Sequence, residues 1–80
     1  MPGNGDRVAS SRRATERKAK AALRASPYFP LRGLRCRCDG DVIVLEGRVS
    51  SYYHKQLAQE TVAHLEGMPM VVNDVGVEGS

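Results

Sequence analysis

Two short apolar runs flank the dipeptide Asp39-Gly40, and this pattern predicts a β-hairpin. Asp-Gly is one of the strongest short-range hairpin signals, because a type I′ turn needs positive φ angles that Gly adopts freely and Asp tolerates. With Asp39 and Gly40 as the two loop residues, Cys36 would oppose Ile43. Side chains alternate between the faces of a strand, so the predicted inward row contains Leu34, Cys36, Ile43 and Leu45.

The apolar pattern then predicts a second strand, a helix and a third strand. The second strand covers Val42 to Val49, and its Gly47 indicates a close helix approach or a bulge. Ser50 or Ser51 can cap a helix over Tyr52 to Glu66, whose apolar residues share one arc, and Gly67 can end it. The alternation of side chains typical of a strand returns over Met70 to Val77, which predicts the third strand. Asn73 falls on the inward row of that strand, which requires a bulge or a hydrogen bond to backbone.

The residues before the hairpin predict one more helix. Ala14 to Ala25 is rich in strong helix formers and ends before Ser26-Pro27, where a helix should stop. We expect the aromatic residues Tyr28 and Phe29 to close the end of the core. Residues 1–11 and 78–80 are polar and glycine-rich, which predicts disordered ends around a folded domain over residues 12–77.

The predicted order is helix, strand, strand, helix, strand, a single α+β domain with a three-stranded mixed sheet. The second strand, the helix after it and the third strand form a βαβ unit. Its crossover should be right-handed, and the two strands should be parallel. The second strand is the most apolar and should be central. Both helices would then pack on one face of the sheet and leave the other face open.

The charge distribution is strongly asymmetric although the net charge is only +3. Through Arg37 there are ten basic and two acidic residues, and after it two basic and seven acidic. A basic N-terminal half favours binding to phosphate groups, in lipid head groups or in nucleic acid. Spacings of four, three and four place one basic stripe on the first helix, with Glu16 at ion-pair spacing before Lys20. The candidate lipid-binding residues are Arg13, Arg17, Lys20 and Arg24.

The alternative for this stripe is an ordinary solvated helix face. The helix has one Leu, so we expect it to pack on the domain rather than insert into lipid. A second candidate surface is the open sheet face, where valines lie among charges. Apolar patches rimmed by charge often mark contact sites, although Glu46 and Asp74 could make this a solvated mixed-charge surface. The candidate partner-binding residues, for another protein or a second copy, are Arg35, Arg37, Val42, Val44, Arg48 and Val72.

No catalytic or nucleotide-binding motif is present, so we expect no enzyme, cofactor or metal site. His54 and His64 are ten residues apart, too far to converge on one ion. Cys36 and Cys38 lack paired CxxC spacing for zinc, and a bridge between them would distort a strand, so they are predicted to be buried free thiols. No GxxG loop or aromatic RNP pattern favours RNA. The absence of an apolar leader predicts a cytoplasmic protein, unless it was cut from a longer precursor, with possible peripheral membrane association.

The order and spacing of several short segments resemble the BON domain, a module of bacterial osmotic-stress and nodulation-associated proteins. The resemblance covers about residues 19–77. It is carried by the run from Asp39-Gly40 through VIVLEGRVSS, the Ala-bearing helix, LEGM and VVNDVGV. It implies the αββαβ fold and a non-catalytic binding module, commonly proposed to contact phospholipid surfaces, with some members linked to potassium binding.

Overall fold

The computed structural model describes residues 4–78, with side chains from residue 11 onward. Its element order confirms the predicted α+β class. The elements are α1 (Asn4–Arg24), a connecting 3-10 helix (Phe29–Gly33), β1 (Arg35–Asp39), β2 (Val42–Val49), α2 (Tyr52–Ala63) and β3 (Met70–Val77).

The sheet has the order β1-β2-β3 with β2 in the centre, as its apolar sequence predicts. β1 pairs with β2 antiparallel, and β3 pairs with β2 parallel, since α2 supplies the crossover between them. α1 and α2 contact each other and bury their apolar side chains in one core on the same side of the sheet. The strand order and directions therefore agree with those expected from the βαβ pattern.

The hairpin turn lies one residue later than predicted. Asp39 pairs with Val42, so the loop residues are Gly40 and Asp41, and Cys36 opposes Leu45 instead of Ile43. The first residue of a primed two-residue turn needs a positive φ, and Gly40 supplies it with a φ of 63°. The register differs from the predicted one by two residues, so every side chain keeps its predicted face.

The core draws one or two fully buried side chains from each element except β1. These are Leu23, Leu31, Ile43, Leu45, Val62 and Val75. The expectation that Tyr28 and Phe29 close the core is wrong, because Leu31 takes that position and Phe29 is 78% exposed. In a short 3-10 helix about one side chain in three points the same way, and Leu31 is the one that points inward.

α2 begins at Tyr52 as predicted, whereas the start of α1 and the end of α2 differ from the prediction. α1 begins at Asn4, ten residues before the predicted start, so most of the segment expected to be disordered is helical. Residues 1–3 and 79–80 lie outside the described residues. α2 ends at Ala63, because the N–H of Leu65 bonds to the carbonyl of Val62 and tightens the chain into a turn. Gly67, with a φ of 76°, lies in that turn and not directly after the helix.

Two polar side chains stabilise the start of α2 and link this helix to the sheet. The Ser51 hydroxyl caps the helix by accepting a hydrogen bond from the backbone N–H of His54 at 3.2 Å. The inward Asn73 amide donates to the carbonyl oxygen of Lys55 at 2.8 Å, and its own oxygen accepts from the N–H of Val75 at 3.3 Å. Asn73 therefore links β3 to α2, and its place on the inward row follows from backbone hydrogen bonds.

Candidate functional site

Three of the four predicted lipid-binding residues line one cavity on the flank of α1. The helix buries Ala19 and Leu23 against the sheet, and this leaves its basic stripe exposed on the side next to β1. The cavity is open, has a volume of about 230 Å³, and is lined by Arg13, Glu16, Arg17, Lys20 and Cys36. Arg24 lies about one turn further along α1, exposed and outside the cavity lining.

Glu16 is the one carboxylate of this cavity, and it is bound to the edge of β1. Its Oε1 accepts a hydrogen bond from the backbone N–H of Cys38 at 2.7 Å. The ion pair with Lys20 that the spacing predicts does not form within 4 Å. Among the side chains of residues 11–78, no ion pair involves any of the three cavity cations. Within this described part, Glu16 is the single carboxylate that lines the cavity beside the three positive charges.

The backbone of β1 adds a donor on the same side. The N–H of Cys38 points away from β2, since it bonds to Glu16 of α1. Backbone groups of residues i and i+2 point the same way along a strand, so the N–H of Cys36 also points to this outer edge. Cys36 lines the cavity. An edge N–H group of β1 therefore belongs to a residue that lines the cavity beside three cationic side chains.

The two thiols are free and half-buried beneath α1. The Cys36 Sγ lies 3.5 Å from the carbonyl oxygen of Glu16, and the Cys38 Sγ lies 3.5 Å from that of Arg12. Burial, followed by the nearby Glu16 carboxylate, raises the pKa of both thiols above the ordinary value. Since the thiolate is the nucleophile, both cysteines should be poorly reactive in the folded protein.

We expect both thiols to be alkylated several-fold more slowly by iodoacetamide in the folded protein than in denaturant at pH 8. A raised pKa lowers the thiolate fraction at that pH, so the folded rate should keep rising through pH values where the unfolded rate has levelled off. Mass spectrometry over a pH series measures both rates. Superimposable pH profiles for folded and denatured protein would contradict the burial of these thiols.

The open sheet face is more neutral and less apolar than the sequence suggests. Arg37 lies 3.4 Å from Asp39 and 3.3 Å from Glu46, and Arg48 lies 3.9 Å from Glu78. Of the three valines, Val44 is only 6% exposed and Val42 is partly covered, which leaves Val72 at 41%. Arg35 is exposed on the edge strand, opposite Glu46. The expected patch of three exposed valines is therefore wrong.

A cluster of exposed aromatic side chains at one end of the domain was not predicted. The Tyr28 and Tyr53 rings meet edge to face with centroids 6.2 Å apart. Phe29 and Tyr52 are the neighbours of these two residues along the chain, and each lies largely in solvent. The signal was available in the sequence, because Tyr52 and Tyr53 precede the apolar arc of α2. We call Tyr28, Phe29, Tyr52 and Tyr53 the aromatic end.

Together these features describe a small α+β domain that exposes a basic stripe and an aromatic end. Within residues 4–78, no group of three or more His, Cys, Asp or Glu residues is placed to hold a metal ion. The same part of the chain contains no helix with the length and apolar character needed to cross a bilayer.

The chain belongs to the BON domain family, whose model matches residues 11–79. Members of this family are generally non-catalytic binding modules, regarded as phospholipid-binding or related to osmotic stress. No curated protein matches the chain.

Proposed function

We propose that this BON domain contacts anionic phospholipid surfaces through the basic stripe of α1. The observation that carries the proposal is the cavity on α1, where three basic residues outnumber the single carboxylate of Glu16 and, among the side chains of residues 11–78, form no ion pair; they are Arg13, Arg17 and Lys20. Guanidinium groups bind phosphate oxygens in a bidentate manner, and an ammonium group adds a compact positive charge. The outward N–H of Cys36 can donate one more hydrogen bond to a phosphate in the same place.

The length of the stripe favours an extended surface over a single small anion. Arg13 and Arg24 are separated by eleven residues of helix, which corresponds to roughly 16 Å along the axis. A free phosphate would meet the cavity cations but could not also reach Arg24. A bilayer surface presents many phosphates side by side, so all four side chains can be engaged at once.

We expect the protein to float with vesicles that contain phosphatidylglycerol at low salt and to remain at the bottom with neutral phosphatidylcholine vesicles. Each basic residue near an anionic surface contributes about 1 kcal/mol, and the attraction decays within a Debye length of about 8 Å at physiological salt. Binding should therefore be lost near about 0.5 M salt, where the Debye length is shorter. Equal flotation with neutral and anionic vesicles would contradict an electrostatic contact.

The second candidate function is self-association or protein contact through the open sheet face. It is supported by the exposed apolar side chain of Val72 on the outer strand β3. The pairing of Arg37 and Arg48 with carboxylates weighs against it, because these arginines already have intramolecular partners. Concentration-dependent broadening of amide signals in β2 and β3 that Val72→Glu abolishes would favour this function.

A further inference from the structure

The aromatic end contains four of the six large hydrophobic side chains that are exposed in the described domain. Phe29 is 78% and Tyr52 is 75% exposed, and Tyr53 and Tyr28 are also open to solvent. These side chains come from two separate segments, the connecting 3-10 helix and the first turn of α2, which the fold brings into contact. Aromatic side chains have large apolar surfaces, and a cluster of them in water indicates a contact site.

Basic side chains lie on the rings of the same cluster. The Arg32 guanidinium is 5.9 Å from the centre of the Phe29 ring, and the Lys55 ammonium is 5.8 Å from that of Tyr52. The Arg32 side chain is held there by a 2.9 Å hydrogen bond from its Nε to the carbonyl of Ser26. The occupant must therefore offer apolar groups to the rings and negative charge to the cations.

An anionic bilayer meets both requirements at its interface with water. Its phosphates can pair with basic side chains while its acyl chains receive the rings, and tyrosine is enriched at this interface because its hydroxyl stays wet. The stripe on α1 ends at Arg24, four residues before Tyr28, so the aromatic end follows the stripe directly along the chain. Over residues 11–24, the exposed side of α1 carries basic side chains and no large apolar group.

We propose that the aromatic end inserts into the headgroup region of an anionic bilayer while the basic stripe lies on its phosphates. This inference rests on the proposed function and adds the part of the domain that enters the membrane. It also gives an orientation, in which α1 and the N-terminal turn of α2 face the lipid. The C-terminal end of α2, at His64, lies about 18 Å from the aromatic end by helix rise, so the proposal places it outside the inserted part of the domain.

The chain contains no Trp, so a single introduced Trp reports its own surroundings. We expect Phe29→Trp to emit at shorter wavelength with vesicles of equal phosphatidylglycerol and phosphatidylcholine, and to be quenched when their acyl chains are brominated. His64→Trp, at an exposed position on the other end of α2, is the matched control and should show neither effect.

Phe29→Ser should weaken binding to the same vesicles by about tenfold, the equivalent of losing about 1.4 kcal/mol of apolar burial. Met70→Ser is the control, since Met70 is 72% exposed but lies on β3, away from the aromatic end. It should change binding less than twofold, roughly. Because both side chains are largely in solvent, neither change should alter the thermal melting curve.

The outcomes separate this inference from the proposed function. If the protein binds anionic vesicles but the indole of Phe29→Trp is neither shifted nor quenched, and Phe29→Ser binds normally, insertion is wrong and the electrostatic contact stands. If the indole of His64→Trp is quenched and that of Phe29→Trp is not, the orientation is reversed and the inference is also wrong. If the protein binds no anionic vesicles at low salt, both proposals fail.

Discussion

Replacing Gly47 with alanine should lower the free energy of unfolding by about 1–3 kcal/mol, and replacing it with leucine by more. Gly47 has a φ of 130°, a region that other L-residues rarely adopt. A Cβ atom added there would lie 2.7 Å from the Cδ2 atom of Leu34. The close approach comes from the residue before β1, and not from a helix as the sequence suggested. Backbone strain and the contact with Leu34 both lower the free energy of unfolding.

Gly33→Ala is the matched control for this prediction. A Cβ at Gly33 meets no atom within 4 Å, and its φ is not in the left-handed region, so its effect should be within about 0.5 kcal/mol. Urea denaturation at equilibrium measures both changes. If Gly47→Ala and Gly33→Ala had the same unfolding midpoint, neither the φ angle nor Leu34 would constrain position 47.

Removing two charges from the stripe should have the largest effect on lipid binding. We expect Arg13→Gln with Arg17→Gln to weaken binding to anionic vesicles about 30-fold, since two basic residues near the surface contribute about 2 kcal/mol together. Both side chains are exposed and make no ion pair among residues 11–78, so the fold should be unaffected. Vesicle titration at fixed low salt measures the change.

Arg35→Gln with Arg48→Gln is the control, because it lowers the net charge by the same two units on the open sheet face. If net charge alone determined binding, the two double variants would lose affinity equally. We expect the control to lose less than about threefold, because only long-range attraction changes. A larger loss for the control than for the stripe variant would place the lipid on the sheet instead of on α1.

The faces of the hairpin could be predicted more reliably than its register. Asp-Gly indicated a turn at this place, but two alignments that differ by two residues keep the same inward row. The choice between them depends on which residue occupies the first loop position, and there Gly40 is favoured by its positive φ. The alternation of apolar residues therefore determined the core, and the turn had to be located from the structure.

The basic stripe was predictable from spacing, whereas the cavity beside it was not. The positions of Arg13, Arg17 and Lys20 on one helix follow from its period of 3.6 residues. The cavity depends on how α1 lies against the edge of β1 and on Glu16 turning toward the Cys38 N–H, which are tertiary contacts. The aromatic end was missed because apolar residues near a core were assumed to enter it.

The most direct test of membrane contact through α1 is an amide NMR spectrum of the protein bound to anionic bicelles that carry a paramagnetic headgroup label. We expect the strongest broadening in residues 13–24, with further broadening at Phe29 and Tyr52. Residues 42–48 of β2, which lie within the sheet, should remain sharp. Broadening that is strongest in β2 and β3 and absent from α1 would contradict the proposed contact.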